Sequence, residues 1–365
     1  MVRRKQVIVV NDIVATPGSG GVFSILDDFY HQVVDLDKEN TWYFLLSGNY
    51  FQETENVKIL TFTDIKRNWF KRLEFELFSG SKVINLLKPD IYMSLQNTMT
   101  FGVNADTKIA YVHQPLAFQS KIRFSFFKEN ERSLAVHQKL IGRFINFTLR
   151  KTKPTIIVQT NWMKNSILKK RISTDQMVKI IRPVQNIDEK VVACELNNEF
   201  FYPSVVRTYK NHKVIFNAIE ILNKKNLSNF KVKITGSKED FIAQKIDKKV
   251  MLTGMLSRDD VYQEYTKSVL IFPSLMETYG LPLAEAKKVG TIIFAADTEY
   301  AHDVLGEYEN AYYFDPSNAK ELADLMEKFL KHKISLKAVK NEREKMNEVR
   351  TSDLFHEILS VGKNA

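Results

Sequence analysis

Short apolar runs alternate with amphipathic stretches along the first half of the chain. The apolar runs have the length of buried strands and lie at 6–10, 42–46, 57–60, 91–94, 108–112 and 155–159. The amphipathic stretches place apolar residues three or four positions apart, as one face of a helix does, and include 22–37, 66–87 and 161–170. This alternation predicts an α/β fold with a parallel sheet covered by helices.

The second half of the chain repeats the same alternation after a polar, irregular stretch at 185–198. Its apolar runs lie at 200–204, 230–234, 249–252 and 269–272, and its helical stretches include 209–222, 319–330 and a polar one at 336–359. A chain of 365 residues is also long for a single core. We therefore expect an N-terminal domain over 1–185, a C-terminal domain over 186–335 and a C-terminal helical segment over 336–365.

Composition is that of a globular protein, with 44% hydrophobic and 26% charged residues. The one cysteine, Cys194, excludes a disulfide within the chain and fits a reducing compartment. The start of the chain has a basic tip but an apolar run too short for a signal-peptide core. No apolar stretch approaches the roughly eighteen residues of a membrane span. We expect a cytoplasmic protein, either soluble or bound to the inner face of the plasma membrane.

The net charge of +10 is concentrated in one region of the chain. Between Lys121 and Arg182 there are fifteen Lys and Arg against three acids, so the remainder of the chain is slightly acidic. Six Phe between 118 and 147 interleave with these cations, and the helical stretch there is amphipathic. The cations that form the predicted basic face are Lys121, Arg123, Arg132, Lys139 and Arg143.

Three interpretations of this basic face remain open. A basic amphipathic helix with exposed aromatic residues suits an anionic membrane surface. The same pattern also fits an ordinary helix that packs its apolar side on the core and exposes its charges. Nucleic acid is the third interpretation, but no recognised nucleic-acid-reading motif accompanies the charge, so we expect none as a partner.

The stretch FPSLMETYGLPLAE, residues 272–285, predicts a ligand site. It follows the apolar run at 269–272, and its Gly280 to Pro282 segment can begin a helix, because proline is tolerated in a first helical turn. The unpaired N–H groups and positive dipole of a helix start favour a bound phosphate. Glu277 and Glu285 flank this turn, where Glu285 could accept hydrogen bonds from sugar hydroxyl groups.

Three further positions have the chemistry of an anion or sugar site. The loop over 11–21 joins a strand to a helix through glycines, a phosphate-cradle layout that matches neither the Walker nor the dinucleotide pattern, so a flexible connection is the alternative. Lys210 stands at a predicted helix start, where a cation opposes the dipole unless an anion is bound. His113 follows the run at 108–112, and ligands of open α/β sheets bind outside the carboxyl ends of strands.

The pattern F-P-S-x-x-E-x-[FY]-G-L-P-x-x-E-A at 272–286 resembles the retaining glycosyltransferases of family 4, which have the GT-B fold. The flanking sequences VMLTGMLSRDDVYQEYTKSVLIFPS and AEAKKVGTIIFAADTEYAHDV, and also YVHQPL and VQTNWMKNSI, are similar to segments of that family. The resemblance implies two Rossmann-like domains facing across a cleft, with the acceptor held mainly by the first and the nucleotide sugar mainly by the second. It also implies that the last helix returns to the N-terminal domain.

The resemblance implies roles for individual residues. It makes His113, Lys210 and Glu277 the catalytic residues: His113 positions a hydroxyl of the donor sugar, Lys210 binds phosphate, and Glu277 holds the sugar near the reacting carbon. One departure from the family pattern is Val205, which stands where an arginine is usual, and Arg207 is the nearest substitute. The remaining donor-binding residues are Gly20, Gly21, Gly254, Thr278, Tyr279, Gly280, Leu281 and Glu285, the last of which holds the ribose.

The expected activity is transfer of a sugar, with retention of configuration and without a metal or cofactor, from a UDP- or GDP-sugar. The acceptor would be a hydroxyl of a glycan or polyprenyl-linked saccharide in cell-surface polysaccharide biosynthesis. Two alternatives remain open: a sugar-nucleotide epimerase of the same fold, and a non-catalytic basic binding protein on this scaffold, since fold alone does not determine function. The base, sugar, linkage and acceptor are left open by the sequence.

Overall fold

Two parallel β-sheets, one in each half of the chain, form the framework of the computed structural model. The structure describes residues 4–17, 21–183, 185, 187–241, 246–338 and 354–361. The chain divides into two units, of which unit 1 comprises Met1–Arg182 with Thr351–Ala365 and unit 2 comprises Pro183–Arg350.

Unit 1 has a seven-stranded sheet in the order β3-β2-β1-β4-β5-β6-β7. Its strands are β1 (Val7–Asp12), β2 (Thr41–Leu46), β3 (Val57–Thr61), β4 (Ile91–Ser94), β5 (Thr107–Tyr111), β6 (Thr155–Val158) and β7 (Val178–Ile180). Its helices up to β7 are α1 (Gly21–Leu36), α2 (Thr63–Arg67), α3 (Trp69–Glu74), α4 (Gly80–Leu86), α5 (Arg132–Val136), α6 (Gly142–Thr152) and α7 (Asn161–Lys169). The strand order reverses direction between β1 and β4, which are paired in parallel with Val10 opposite Met93.

Unit 2 has a six-stranded sheet in the order β10-β9-β8-β11-β12-β13. Its strands are β8 (Glu199–Tyr202), β9 (Lys231–Ile234), β10 (Val250–Leu252), β11 (Val269–Phe272), β12 (Ile293–Ala296) and β13 (Ala311–Phe314). Its helices are α8 (His212–Lys224), α9 (Arg258–Lys267), α10 (Leu281–Val289), α11 (Glu299–Leu305) and α12 (Ala319–Leu330). Here the order reverses between β8 and β11, where Phe201 pairs with Leu270.

The predicted strands agree with the structure to within one or two residues, whereas the predicted helix over 66–87 does not form as one piece. The side chain of Asn68 accepts hydrogen bonds from the N–H groups of Phe70 and Lys71, so a new helix, α3, begins there. A π-helical turn, Phe75–Ser79, then separates α3 from α4. Helix α7 begins at Asn161, the first residue of the predicted stretch, and Thr160 is its N-cap.

The last described helix, α13 (Leu354–Val361), packs in the core of unit 1, as expected for the C-terminal helix. Phe355 and Ile358 are buried there, and the Phe355 ring lies 6.2 Å from that of Trp42 on β2. Glu357 pairs with Lys179 on β7. The rest of the helix predicted over 336–359 lies partly outside the described residues, since 339–353 are not among them.

Helices that combine the length and the apolar character needed to cross a bilayer do not occur in the described part of the chain.

Truncation of α13 in the core should destabilise unit 1. Ile358→Ala removes a fully buried side chain, and such changes cost about 2–5 kcal/mol because a cavity remains. The exposed neighbour His356 is the control, since His356→Ala should change stability by less than about 0.5 kcal/mol. Urea unfolding followed by circular dichroism measures both, and equal midpoints for the two variants would show that α13 contributes little to the core.

Candidate functional site

Lys210 and Glu277 form an ion pair where the strand order of unit 2 reverses. The segment after β8 carries Lys210 and the segment after β11 carries Glu277, so the adjacency of the two strands brings them together. The Lys210 Nζ lies 2.6 Å from Glu277 Oε1, and the two side chains are only 14% and 16% exposed. Ligands of open α/β sheets bind at this place in the fold, so the pair marks a candidate site.

Hydrogen bonds between side chains and backbone carbonyl groups hold the Lys210 segment in place. Lys210 ends a short 3-10 helix, Thr208–Lys210, and its carbonyl accepts a hydrogen bond of 2.8 Å from the Tyr202 hydroxyl. Asn211 follows with a left-handed backbone, φ 57°, and its side-chain amide donates to the carbonyls of Pro273 (3.3 Å) and Pro316 (2.8 Å). Asn211 therefore ties the Lys210 segment to the start of the Glu277 loop.

Ser274 holds Glu277 on the other side. Its buried hydroxyl donates to Glu277 Oε1 at 2.6 Å, the same oxygen that contacts Lys210. The Ser274 carbonyl in turn accepts a hydrogen bond of 2.5 Å from the buried hydroxyl of Tyr300. With two donors on one oxygen, the second carboxylate oxygen of Glu277 remains to accept a ligand hydroxyl.

Helix α10 begins four residues beyond Glu277, at the Gly280 to Pro282 segment as predicted. Gly280 occupies its N-cap with φ 87°, a left-handed conformation that glycine adopts without strain, and Leu281 is its first residue. Pro282 lies in the first turn. Of the preceding residues, Tyr279 is buried and Thr278 is partly buried. The first-turn N–H groups and the helix dipole make this end of α10 suitable for an anion.

Glu285 lies in the next turn of α10 and is almost fully buried. Burial raises the pKa of its carboxyl group, and the hydrogen bond from Tyr265 and the charge of Arg258 oppose that shift. The Tyr265 hydroxyl donates to Glu285 Oε2 at 3.1 Å. The carboxyl group is thereby oriented by an aromatic residue of α9.

Gly254 lies next to Gly236 at the carboxyl ends of β10 and β9. The two glycines form an isolated antiparallel bridge, and both have positive φ, 69° for Gly254 and 128° for Gly236. A side chain at Gly236 would meet Phe241 at 3.3 Å. Arg207, the expected substitute for an arginine at Val205, is exposed, and its charge acts on Tyr209 and Asp240.

His113 follows β5 at the carboxyl edge of the unit 1 sheet. Its Nε2 lies 2.6 Å from the Leu95 carbonyl oxygen, and its backbone N–H donates to the Asn97 side chain at 2.7 Å. Asn97 has a left-handed backbone, φ 67°, which is uncommon outside glycine. Burial lowers the pKa of His113 to about 4, so the imidazole is neutral near pH 7. Of the expected glycine pair, Gly21 is the first residue of α1, whereas Gly20 lies outside the described residues.

The predicted basic face lies on unit 1 over 121–143. Lys121, Arg123, Arg132 and Arg143 are exposed, whereas Lys139 is partly buried with its Nζ 4.7 Å from the centre of the Phe126 ring. Among the six interleaved phenylalanines, Phe118 and Phe124 are buried in the core. Phe127, in contrast, is 94% exposed.

A second segment adds aromatic residues to this face. Trp69 on α3 packs against Phe144 on α6, with ring centres 6.3 Å apart, and the adjacent Phe70 is 79% exposed. The break of the predicted helix at Asn68 places these residues at the start of α3. Sequence analysis did not assign this segment to the basic face, because a continuous helix was expected there.

An Asp-x-Asp sequence, a spacing that can bind metal, occurs at Asp35 and Asp37. It lies at the end of α1, where the Asp37 carboxylate accepts hydrogen bonds from Trp42 Nε1 (3.0 Å) and from the Asn40 side chain (2.7 Å). These hydrogen bonds stabilise the turn between α1 and β2. Across the described ranges, no group of three or more His, Cys, Asp or Glu has the arrangement of a metal site.

Sequence reasoning missed Ser274, Tyr265 and Asn211. The first two act through Glu277 and Glu285 by contacts between separate elements, which no spacing in the sequence reveals. A signal did exist for Asn211, because asparagine tolerates the left-handed conformation required between the 3-10 turn and α8.

The two buried histidines should make folding pH-dependent. Burial lowers the pKa of His113 and of His212 to about 4, below the ~6.5 of an unfolded chain. As pH falls, the unfolded state therefore takes up protons first, and stability present above pH ~6.5 is lost progressively toward pH ~4. Urea unfolding between pH 7.5 and 4.5 should show this loss. His113→Gln and His212→Gln should each reduce the slope, and slopes equal to that of the parent would contradict the assignment.

Comparison with known proteins gives a family match for one part of the chain and a fold for nearly all of it. Residues 184–348 match the family described as glycosyl transferases group 1. No curated protein matches the sequence.

Three solved structures are similar over almost the whole chain. Sucrose-phosphate synthase from Thermosynechococcus elongatus has a TM-score of 0.71 and 12% identity, covering 99% of this chain and 98% of that one. WaaG, a glycosyltransferase involved in lipopolysaccharide biosynthesis, has a TM-score of 0.67 and 12% identity, covering 98% and 99%. Anabaena HepE in complex with UDP-glucose has a TM-score of 0.62 and 13% identity, covering 98% of each chain.

At these identities the similarity establishes the fold, which confirms the predicted fold class. The chain has the two-domain GT-B fold, and the sequence of its residues 184–348 matches the glycosyl transferases group 1 family.

Proposed function

We propose that this protein is a glycosyltransferase that moves a sugar from a nucleotide sugar to an acceptor hydroxyl with retention of configuration. The observation that carries the proposal is the Lys210–Glu277 ion pair at the strand reversal of unit 2, in the loop that leads into α10. It supplies a cation for phosphate and a carboxylate for sugar hydroxyls within one site. The group 1 family match over 184–348 covers all of these residues.

In the proposed reaction the bond between the anomeric carbon and the diphosphate oxygen breaks. The acceptor oxygen forms its bond to that carbon on the same face, and its proton passes to the departing diphosphate oxygen. Lys210 and the first-turn N–H groups of α10 stabilise the charge that develops on the diphosphate, so the proposal requires no divalent metal or cofactor. Removal of one such preorganised donor typically costs about 3–4 kcal/mol of transition-state stabilisation.

We propose that the diphosphate of the donor replaces Glu277 as the partner of Lys210. Glu277 neutralises Lys210 in the structure, and a bound diphosphate would compete with it for the same ammonium group. Glu277 would then keep its hydrogen bond from Ser274, and its carboxylate would accept hydrogen bonds from the hydroxyl groups of the donor sugar. Glu285 is proposed to hold the ribose, and Thr278 to Leu281 line the phosphates.

The remaining proposed contacts with the donor are made by glycine backbone segments, by Arg207 and by His113. Gly254, where an added side chain would meet no atom within 4 Å, is proposed to leave space for a base beside β10. Gly20 and Gly21 are proposed to approach the phosphate, and Arg207 to stand in for the missing arginine at Val205. His113, neutral near pH 7, is proposed to hydrogen-bond a hydroxyl of the donor sugar. UDP is the favoured nucleotide, because HepE was solved with UDP-glucose, and GDP is the alternative.

The acceptor is proposed to be a glycan or polyprenyl-linked saccharide presented at the inner face of the plasma membrane. Support comes from the basic face of unit 1, which has exposed cations and exposed aromatic side chains such as Phe127. Each cation near anionic headgroups adds about 1 kcal/mol of binding. Cell-surface polysaccharide biosynthesis is the proposed pathway, and one of the similar structures, WaaG, acts in lipopolysaccharide biosynthesis.

The donor is tested by thermal unfolding with UDP-, GDP-, dTDP-, ADP- and CMP-sugars. Ligand binding raises stability by RT ln(1 + [L]/Kd), so a ligand at about 100 times its Kd adds roughly 2.7 kcal/mol and the correct nucleotide stands out. Consumption of the nucleotide sugar without an acceptor, with an altered sugar nucleotide as product, would favour an epimerase. If none of these sugar nucleotides raises the melting temperature, the protein would instead be a binding scaffold.

Charge removal at the two glutamates should separate turnover from donor binding. Glu277→Gln should lower turnover by about two orders of magnitude, while UDP binding becomes tighter because Lys210 loses its charged partner. Glu285→Gln should weaken UDP binding by about tenfold, the loss of one buried hydrogen bond. Isothermal calorimetry with UDP and initial rates measure the two effects.

The control for these variants is Glu220→Gln, an exposed change on α8 that should alter neither property. If both Glu277→Gln and Glu285→Gln behave like this control, the proposed donor site is wrong.

Neutralising the basic face should release the protein from membranes. The triple change of Arg123, Lys139 and Arg143 to Ser should abolish sedimentation with phosphatidylglycerol vesicles, with activity on a soluble acceptor retained. A matched triple change of exposed lysines in unit 2, at Lys224, Lys231 and Lys320, should leave vesicle binding as in the parent. The membrane proposal fails if the parent itself does not sediment with these vesicles at low salt.

A further inference from the structure

The loop 95–100 follows β4 at the carboxyl edge of the unit 1 sheet, and all six of its residues are buried. Two of them hold His113, which is proposed to hydrogen-bond the donor sugar. The Leu95 carbonyl oxygen lies 2.6 Å from His113 Nε2, and the Asn97 side chain accepts a hydrogen bond of 2.7 Å from the His113 backbone N–H. A carbonyl oxygen can only accept, so this contact places the ring proton on Nε2. The loop therefore determines both the position and the tautomer of His113.

This loop is not part of a helix or strand, and one of its residues has an uncommon backbone conformation. Asn97 has φ 67°, in the left-handed region, where residues other than glycine persist only if surrounding contacts hold them. At the start of the loop, the Leu95 N–H donates to the Asn11 carbonyl oxygen on β1 at 3.0 Å. The remainder of the loop must be held by contacts with other parts of unit 1.

Glu76 provides several of these contacts. It is fully buried in the π-helical turn Phe75–Ser79, which follows α3. Its carboxylate accepts hydrogen bonds from Gln96 Nε2, from the Thr98 hydroxyl (3.2 Å) and from the Thr100 hydroxyl (2.8 Å). The first two donors are the neighbours of Asn97 on either side. One carboxylate therefore holds the loop at the residue that contacts His113.

The far end of the loop has a second support. The Thr100 hydroxyl lies 2.7 Å from the Tyr92 hydroxyl on β4, and the Asn11 side-chain amide on β1 donates to the Tyr92 hydroxyl at 3.0 Å. Pairing of β1 with β4 fixes these two side chains in the sheet. Thr100 is thus supported by the sheet as well as by Glu76, whereas the side chains next to Asn97 make their hydrogen bonds to Glu76.

A buried carboxylate is costly, which makes Glu76 an unfavourable choice for stability alone. Burial raises the pKa of its carboxyl group, and the charge of Arg72 and the hydrogen bonds from Thr100 and Thr98 oppose that shift. An apolar side chain of similar size would avoid the cost of burying a charge. It would also leave the donors of the loop without an acceptor, and the conformation of the loop would no longer be fixed.

We propose that Glu76 is a positioning residue for His113 and acts through the loop 95–100. Its carboxylate holds Gln96 and Thr98, and the loop between and beside them holds the backbone and the ring of His113. The consequence for the donor sugar rests on the proposed function. The placement of His113 by Glu76 does not.

The first test measures the titration of His113 by NMR of protein labelled with ¹⁵N in its histidine rings. Burial lowers the pKa of His113 to about 4. A loosened loop admits water, so in Glu76→Gln the pKa should rise by about one unit or more toward the ~6.5 of an exposed histidine. The His113 signals are assigned by their loss in His113→Gln.

A pair of changes at Thr98 tests the same contact with less disturbance of the core. Thr98→Val removes one hydroxyl at nearly constant shape and should also raise the pKa of His113. Thr98→Ser keeps the hydroxyl and should titrate like the parent. Asn97→Gly is the positive control, because glycine adopts the left-handed backbone but lacks the side chain that contacts His113.

Two controls separate positioning from general loss of stability. Ile358→Ala removes a fully buried side chain elsewhere in unit 1, and it should leave the titration of His113 unchanged. His212 in unit 2 also has a pKa of about 4 because of burial, and it should titrate identically in every variant.

The second test measures activity and nucleotide binding in the same variants. Initial rates with UDP-glucose should fall about tenfold in Thr98→Val and Glu76→Gln, because misplacement of a contact with the reacting sugar slows the reaction. The Kd of UDP, measured by calorimetry, should stay as in the parent, since UDP lacks the sugar that His113 is proposed to contact.

Three outcomes would overturn the inference. The first is a His113 titration in Glu76→Gln and Thr98→Val equal to that of the parent. The second is an equal shift in Ile358→Ala, which would assign the effect to lost stability. The third is an altered titration with unchanged initial rates in an active enzyme. If the parent binds no UDP but the titration results hold, the proposed function is wrong and the placement of His113 by Glu76 stands.

Discussion

The half-buried ion pair between Lys210 and Glu277 is the interaction on which the unit 2 site depends. A lysine next to the positive end of α8 is unfavourable by itself, and a carboxylate in the loop before α10 would be costly without a cation. Each residue therefore offsets the unfavourable electrostatic energy of the other. Hydrogen bonds from Asn211 and Ser274 connect the two segments, so contacts within the protein hold the pair.

A pair held in this way is well suited to exchange of partners. Loss of one member without replacement leaves a buried charge unpaired, which costs several kcal/mol, whereas a diphosphate replaces the carboxylate at the ammonium group. In the proposed function the carboxylate then needs new donors, which sugar hydroxyls would provide. Binding of the donor and orientation of its sugar would thus be coupled through one oxygen atom of Glu277.

The two units place different chemistry at equivalent positions of their sheets. Both sheets reverse strand order near their centre, and both have polar side chains at that carboxyl edge. In unit 2 the site contains a cation and a helix start, which favour a diphosphate. In unit 1 burial lowers the pKa of His113, so its neutral ring suits a hydroxyl group better than an anion.

The sequence by itself determined the alternation of strands and helices, because buried strands and amphipathic helices have periods that any window of residues reveals. It also located Glu277, Gly280 and Glu285, since a strand, a turn and a proline in a first helical turn are local features. The tertiary structure alone decided which segments became neighbours. The contact of Lys210 with Glu277 depends on β8 lying beside β11, and the position of Trp69 depends on a helix break at Asn68. Contacts between residues distant in the chain follow from the order of strands in a sheet, and that order is settled by the packing of the whole unit, not by any local pattern.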